Sequence, residues 1–97
     1  MYKSKFANEE IDFLFDAILS LKDKDECYRF FEDLCTVVEL HSLAMRLDVS
    51  KRLLENQTYQ AISDANGASP ATISRINRCL QYGTGGYKLG IDNLKGE

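Results

Sequence analysis

The residues most suited to chemistry lie in the second half of the chain, where short polar side chains precede two arginines. Thr58 and Ser69 can each cap the first turn of a helix, and Pro70 suits the position after such a cap. Gly67 separates the two expected helices, because glycine adopts the positive φ that a sharp turn needs. This spacing predicts a helix-turn-helix at residues 58–81.

The second of these helices presents a polar face that could read DNA. Ile73, Ile76 and Leu80 recur at i, i+3 and i+7, so we expect them to close a small core beneath it. Short side chains near its start would let the helix enter a major groove, where arginine meets guanine or phosphate. Gln60 and Ser63 on the first helix could contact the flanking DNA backbone. The predicted DNA-binding residues are Gln60, Ser63, Ser69, Pro70, Ala71, Thr72, Ser74, Arg75 and Arg78.

The charge distribution is compatible with DNA binding through one face. The chain holds 12 basic and 15 acidic residues, and its formal net charge of −3 argues against a general nucleic-acid coat. Residues 46–82 nevertheless carry five basic side chains against three acidic ones. The overall acidity keeps a second interpretation open, a non-enzymatic helical protein-interaction module with a vestigial helix-turn-helix.

Other chemistry finds little support in the residues. The single histidine, His41, has no cysteine or carboxylate at metal-ligand spacing, and no nucleophile constellation indicates an enzyme. Cys27, Cys35 and Cys79 lack C-x-x-C spacing, so we expect free thiols that pack as small apolar groups. We predict no catalytic residue, metal or cofactor. Without a signal peptide or the roughly 18 apolar residues of a membrane span, we expect a cytoplasmic protein.

The helices that must position the helix-turn-helix precede it in the chain. Proline and glycine are absent from residues 1–66, which favours helix throughout. Asn8, Asp23 and Thr36 stand where N-caps are expected. Apolar residues recur with helical spacing over about residues 9–21, 24–35 and 37–55. Their apolar surface exceeds what so short a chain can cover, which predicts an intertwined homodimer, with a monomeric bundle as the alternative.

We therefore expect an all-α fold. The predicted organisation is a single domain over residues 1–97, with dimerisation helices at 9–55, the helix-turn-helix at 58–81 and a flexible or short helical tail at 82–97. Within the helix-turn-helix, Ile62 and Ala65 are expected to face inward. Asn66 departs from the pattern, because an apolar residue is commoner just before the turn glycine.

The sequence Gly-Ala-Ser-Pro-Ala-Thr-Ile-Ser-Arg at residues 67–75 resembles the start of the recognition helix in the tryptophan-repressor family. Residues 38–54, with Leu-Ala-Met-Arg-Leu at 43–47, are similar to that family's long helix. The segment 82–87 resembles the tail of its YerC/YecD-type branch. The resemblance implies a tryptophan-repressor-like fold of six helices, intertwined in a homodimer. It also implies a transcriptional regulator, a repressor, that binds palindromic double-stranded DNA.

The resemblance carries over less completely at the family's small-molecule site. Arg46 and Arg75 match the two arginines that flank the family's ligand, and Cys79 stands at a serine position. These three are therefore the implied ligand-binding residues. Ile76 replaces a glycine that leaves room for an indole ring. Because a branched side chain would fill that room, we expect that tryptophan is not the effector, and another small-molecule effector stays open.

Overall fold

The computed structural model describes residues 1–96, and within them it contains helices and turns but no strand. The helices are α1 (Glu9–Ser20), α2 (Lys24–Leu34), α3 (Val37–Leu54), α4 (Tyr59–Asn66), α5 (Pro70–Tyr82) and α6 (Gly86–Lys95). The chain divides into two compact units, which are Met1–Val37 and the part from Val38 onward. The predicted all-α class is confirmed. None of these helices is long and apolar enough to cross a membrane.

The helices of the first unit, α1 and α2, begin where the sequence places their caps. The side chain of Asn8 accepts a hydrogen bond from the amide three residues further on, at 2.8 Å, and Asp23 does the same at 2.9 Å. Both helices end one residue earlier than expected, because Leu21 and Cys35 adopt extended backbone. The apolar spacing continues past each helix end, so spacing alone overestimated both lengths.

The first unit leaves much of its apolar surface exposed. Neither α1 nor α2 contains a buried residue. Phe13 and Leu19 are 76% and 83% exposed, although Leu19 belongs to the apolar stripe of α1. Cys27 on α2 is also exposed, so its expected packing as a small apolar group is wrong for this chain. The apolar stripe of α1 is therefore only partly covered within the described chain.

The second unit is built on a small apolar core that joins α3, α4 and α5. Val49 on α3, Ile62 on α4 and the pair Ile73 and Ile76 on α5 are each at most 3% exposed. Ala68, in the turn between α4 and α5, completes the cluster. Three partly buried side chains pack against it: Met45, Leu53 and Tyr87. The core therefore holds the two helices of the helix-turn-helix against the C-terminal half of α3.

One expected inward position on α4 is wrong. Ala65 is exposed, whereas Asn66, the residue that departs from the apolar pattern, is half-buried. Ile62 and Asn66, four residues apart, lie on the inner face of this eight-residue helix, and Ala65 therefore lies on the solvent side. On α5, Leu80 is half-buried rather than part of the buried core.

Two glycines with positive φ mark the ends of helices in the second unit. Gly67 terminates α4 at φ 76°, and its N–H donates to the Ser63 carbonyl at 2.8 Å. Gly85, at φ 84°, precedes α6. In the region expected to be a flexible or short helical tail, α6 is helical and Ile91 is only 5% exposed. Residue 97 lies outside the described residues.

A pair of glycine substitutions tests the turn between α4 and α5. Gly67→Ala should lower the free energy of unfolding by about 1–2 kcal/mol, because an L side chain is strained at positive φ. No atom lies within 4 Å of the added Cβ, so the cost is conformational rather than steric. Gly90→Ala, inside α6 and equally uncrowded, should instead raise stability by about 0.5–1 kcal/mol. Urea unfolding measures both, and equal effects would contradict the assignment.

Candidate nucleic-acid interface

The exposed side of α5 carries a continuous row of small and basic side chains. Ala71, Ser74, Arg75 and Arg78 follow one another at i, i+3, i+4 and i+7, and all four are exposed. The buried isoleucines of α5 lie on the opposite side of the helix, so the core turns this row outward. We call these four residues the reading face. Its small residues lie at the N-terminal end, where the backbone of α5 could approach a groove closely.

The N-terminus of α5 is capped by side chains that the sequence identified. The Ser69 hydroxyl accepts from the Thr72 amide at 3.2 Å and donates to the Thr72 hydroxyl at 3.1 Å. Pro70 occupies the first turn, where it sacrifices no hydrogen bond. The first turns of α4, α5 and α6 hold no acidic residue, unlike those of α1, α2 and α3. The positive end of the α5 dipole is therefore not neutralised by a side chain of its own first turn.

The candidate residues on α4 differ in how accessible they are. Gln60 is exposed, and its side-chain amide donates to the Asp64 carboxylate at 2.8 Å. Ser63 is half-buried, so only part of its surface can meet a ligand. An unpredicted bond joins the two helices, since the Asn77 amide of α5 donates to the Tyr59 hydroxyl of α4 at 3.3 Å. The reading face thus lies on a helix that this exposed side-chain hydrogen bond joins to α4.

The two arginines of the reading face carry uncompensated charge. Within residues 1–96, neither Arg75 nor Arg78 forms an ion pair. Arg52 on α3 shows the contrast, because its guanidinium lies 2.8 Å from the carboxylate of Asp48. Unpaired guanidinium groups can bind phosphate oxygens or a guanine edge without first breaking an internal ion pair.

The three residues implied for a small-molecule site lie on two helices. Arg75 and Cys79 are exposed and one helical turn apart on α5. Arg46 lies on α3, where its Nε donates to the Ser42 carbonyl at 3.4 Å. Ile76 lies in the apolar core and is 3% exposed. The structure thus brings Arg75 and Cys79 to one face, while the bond from Arg46 stays within its own helix. Exposed Cys79 also contradicts the expectation of apolar packing.

Sequence reasoning missed a polar connection between α3 and the turn before α5. The Asp48 carboxylate accepts from Arg52 at 2.8 Å and from the side-chain amide of Asn66 at 2.9 Å. The Asn66 carbonyl oxygen in turn accepts from the Ala68 amide at 2.9 Å. The hydrogen bonds from Arg52 and Asn66 hold the pKa of Asp48 below its usual value. The one available signal was Asn66 itself, a polar residue where an apolar one was expected.

Side chains that bind metals do not gather in the described part of the chain. Across residues 1–96, no three His, Cys, Asp or Glu side chains are grouped so that they could hold a metal ion. His41 is exposed on α3, and Cys35 is a half-buried free thiol.

Comparison with known proteins assigns this helical arrangement to a family. The family model for Trp repressor protein matches residues 9–95. The uncharacterized protein YerC of Bacillus subtilis (strain 168) is 53% identical over 95 residues, which cover 98% of this chain and 91% of YerC. A solved TrpR-like protein from Eubacterium eligens ATCC 27750 is 50% identical with a TM-score of 0.90, covering 94% of each chain. A solved Staphylococcus aureus structure is 47% identical with a TM-score of 0.89, covering 96% of this chain and 93% of its own.

Two serine substitutions separate the cap of α5 from its reading face. Ser69→Ala should lower the free energy of unfolding by about 1 kcal/mol, because the Thr72 amide loses its hydrogen-bond acceptor. Ser74→Ala removes the same hydroxyl from an exposed position and should change stability by less than about 0.5 kcal/mol. Thermal or urea unfolding compares them. A Ser74→Ala variant as destabilised as Ser69→Ala would contradict the assigned cap.

Proposed function

The chain belongs to the Trp repressor family, and from this premise we propose that it represses transcription as a homodimer that binds a palindromic DNA operator. The family and the fold make it a helical DNA-binding regulator. The proposal that it binds an operator rests on the reading face. It joins small side chains at the uncompensated N-terminus of α5 to two arginines without internal ion pairs. Such a surface suits phosphate contact and base readout from one helix.

The homodimer is supported by apolar surface that one copy leaves open. On α1, Phe13 and Leu19 are 76% and 83% exposed, and on α3, Val38 is 73% exposed. The 97-residue chain has few fully buried side chains, so covering these faces adds core that it lacks alone. A two-fold dimer presents two equal reading faces, which is the symmetry of a palindrome.

The effector of this regulator is proposed to differ from tryptophan. Ile76 is 3% exposed and packs with Val49, Ile62 and Ile73 in the core of the helix-turn-helix. A side chain already surrounded by core atoms leaves no empty room at its own position. Arg46, Arg75 and Cys79 stay proposed as the residues that another small molecule would meet.

DNA binding is tested with an operator obtained by binding-site selection on the purified protein. Two chains should bind each palindrome, and affinity should fall steeply with salt as counterions are released. Arg75→Ala or Arg78→Ala should cost about 1–3 kcal/mol, roughly 5- to 150-fold in affinity, where the arginine meets a base. A phosphate contact would instead lower the salt slope by about 1. Fluorescence anisotropy over a salt series measures both effects.

Arg29→Ala is the matched control for that experiment. It removes the same charge from α2, where Arg29 pairs with Asp25 and is 80% exposed, so operator affinity should stay close to that of the parent. Equal losses in all three variants would mean that net charge, not the reading face, governs binding. If selection enriches no DNA while a reproducible protein partner is recovered, the interaction-module alternative replaces the proposed regulator.

Tryptophan sensing is tested by calorimetry on the free protein and by anisotropy on the operator complex. We expect no heat of tryptophan binding at micromolar ligand and no change in operator affinity when tryptophan is added. The physical reason is the filled position of Ile76 in the core. Micromolar tryptophan binding, or an operator affinity that rises with tryptophan, would overturn this part of the proposal.

A further inference from the structure

The hydrogen bond between Asp48 and Asn66 joins two parts of the second unit that are 18 residues apart in sequence. Asp48 lies on α3, where Arg52 donates to the same carboxylate oxygen. Asn66 is the last residue of α4, directly before the turn at Gly67. Its other side-chain atom, the carbonyl oxygen, accepts from the Ala68 amide just after that turn. Both polar atoms of the Asn66 side chain are therefore hydrogen-bonded, the nitrogen to α3 and the oxygen to the turn that leads into α5.

The other contacts described between α3 and this helix pair are apolar. Val49, Met45 and Leu53 on α3 belong to or pack against the cluster around Ile62. Apolar packing is strong but not directional, so it fixes which faces meet better than the angle at which they meet. Hydrogen bonds lose strength steeply as their geometry departs from linear, and they do restrict that angle.

The bond has an ionised acceptor at neutral pH and is partly shielded from water. The side chains of Asp48 and Arg52 are 37% and 31% exposed, so water screens them only in part. The hydrogen bonds from Arg52 and Asn66 lower the pKa of Asp48, and the carboxylate stays an ionised acceptor. Charge-assisted hydrogen bonds are about twice as strong as neutral ones.

We propose that Asp48 and Asn66 form a clasp that fixes the direction of α5 relative to α3, and thereby sets the half-site spacing that the homodimer accepts. The proposal rests on the proposed function, because spacing has meaning only for two reading faces on one operator. Asn66 bonds to the turn between α4 and α5, and it lies three residues before Ser69, whose side chain caps α5. Asn66 is thus a positioning residue that need not touch DNA.

Asn66→Leu is the informative variant, because it supplies the apolar residue that is commoner before a turn glycine. It keeps the number of side-chain heavy atoms and the branch at Cγ, and it removes both hydrogen bonds of Asn66. Asn77→Leu is the matched control, since it breaks a bond of the same sequence separation that joins α4 to α5 and not to α3. The exchange Asp48→Asn with Asn66→Asp is the rescue, because an amide and a carboxylate again face each other and the Ala68 amide keeps an acceptor.

The first measurement is operator affinity as base pairs are added or removed between the half-sites. The parent and Asn77→Leu should lose about tenfold or more for each base pair of change, because rigid reading faces cannot follow the groove. Asn66→Leu should flatten this profile to about threefold or less, with the salt slope unchanged. The double exchange should restore the steep profile. A uniform loss of affinity at every spacing would indicate a merely structural role and would overturn the proposal.

The second measurement does not involve DNA. Residual dipolar couplings of the α3 and α5 amides in the free protein report the relative order of the two helices. In Asn66→Leu the α5 couplings should shrink relative to those of α3, and in the double exchange they should recover. Unchanged couplings in Asn66→Leu overturn the clasp. A parent protein that binds no palindrome, but shows these changes in its couplings, contradicts the proposed function and the spacing role while leaving the clasp itself supported.

Discussion

The burial of Ile73 and Ile76 against Val49 and Ile62 is the interaction on which the rest of the second unit depends. Burying each isoleucine contributes about 1.5–3 kcal/mol, which is large for a chain with so small a core. Because the polar row of α5 lies opposite its buried isoleucines, the same burial that stabilises α5 also orients that row outward. The stability of the second unit and the outward orientation of the reading face therefore depend on the same few buried side chains.

Local features of the sequence predicted the helix-turn-helix well. The caps at Asn8, Asp23, Thr58 and Ser69 act through bonds to amides three residues away, so all the required information lies within one helical turn. Gly67 was recognised for the same reason, because a turn with positive φ is a local requirement. Where structure follows from neighbouring residues, reading the sequence was sufficient to place the motif.

Contacts between distant residues could not be predicted in this way. Asn66 looked like an exception to an apolar pattern, and its explanation lies with Asp48, 18 positions earlier in the chain. Only the packing of α4 on α3 brings the two side chains together. Apolar character also failed to predict burial, since Leu19 belongs to the apolar stripe of α1 and Cys27 was expected to pack, yet both are exposed. A stripe tells which side of a helix is apolar, but not whether the same chain covers it.

The filled core also constrains how the proposed regulator can be controlled. A ligand shifts a conformational equilibrium only by binding its two states unequally. Because Ile76 packs in the core and the Asn66 amide donates to Asp48 on α3, the helix pair is held against α3 by its own side chains. A small molecule bound beside Ile76 would then order the helix pair little further. For the proposed homodimer, chain concentration would be the simpler control, because pairing through the exposed apolar faces of α1 and α3 would set the number of paired reading faces.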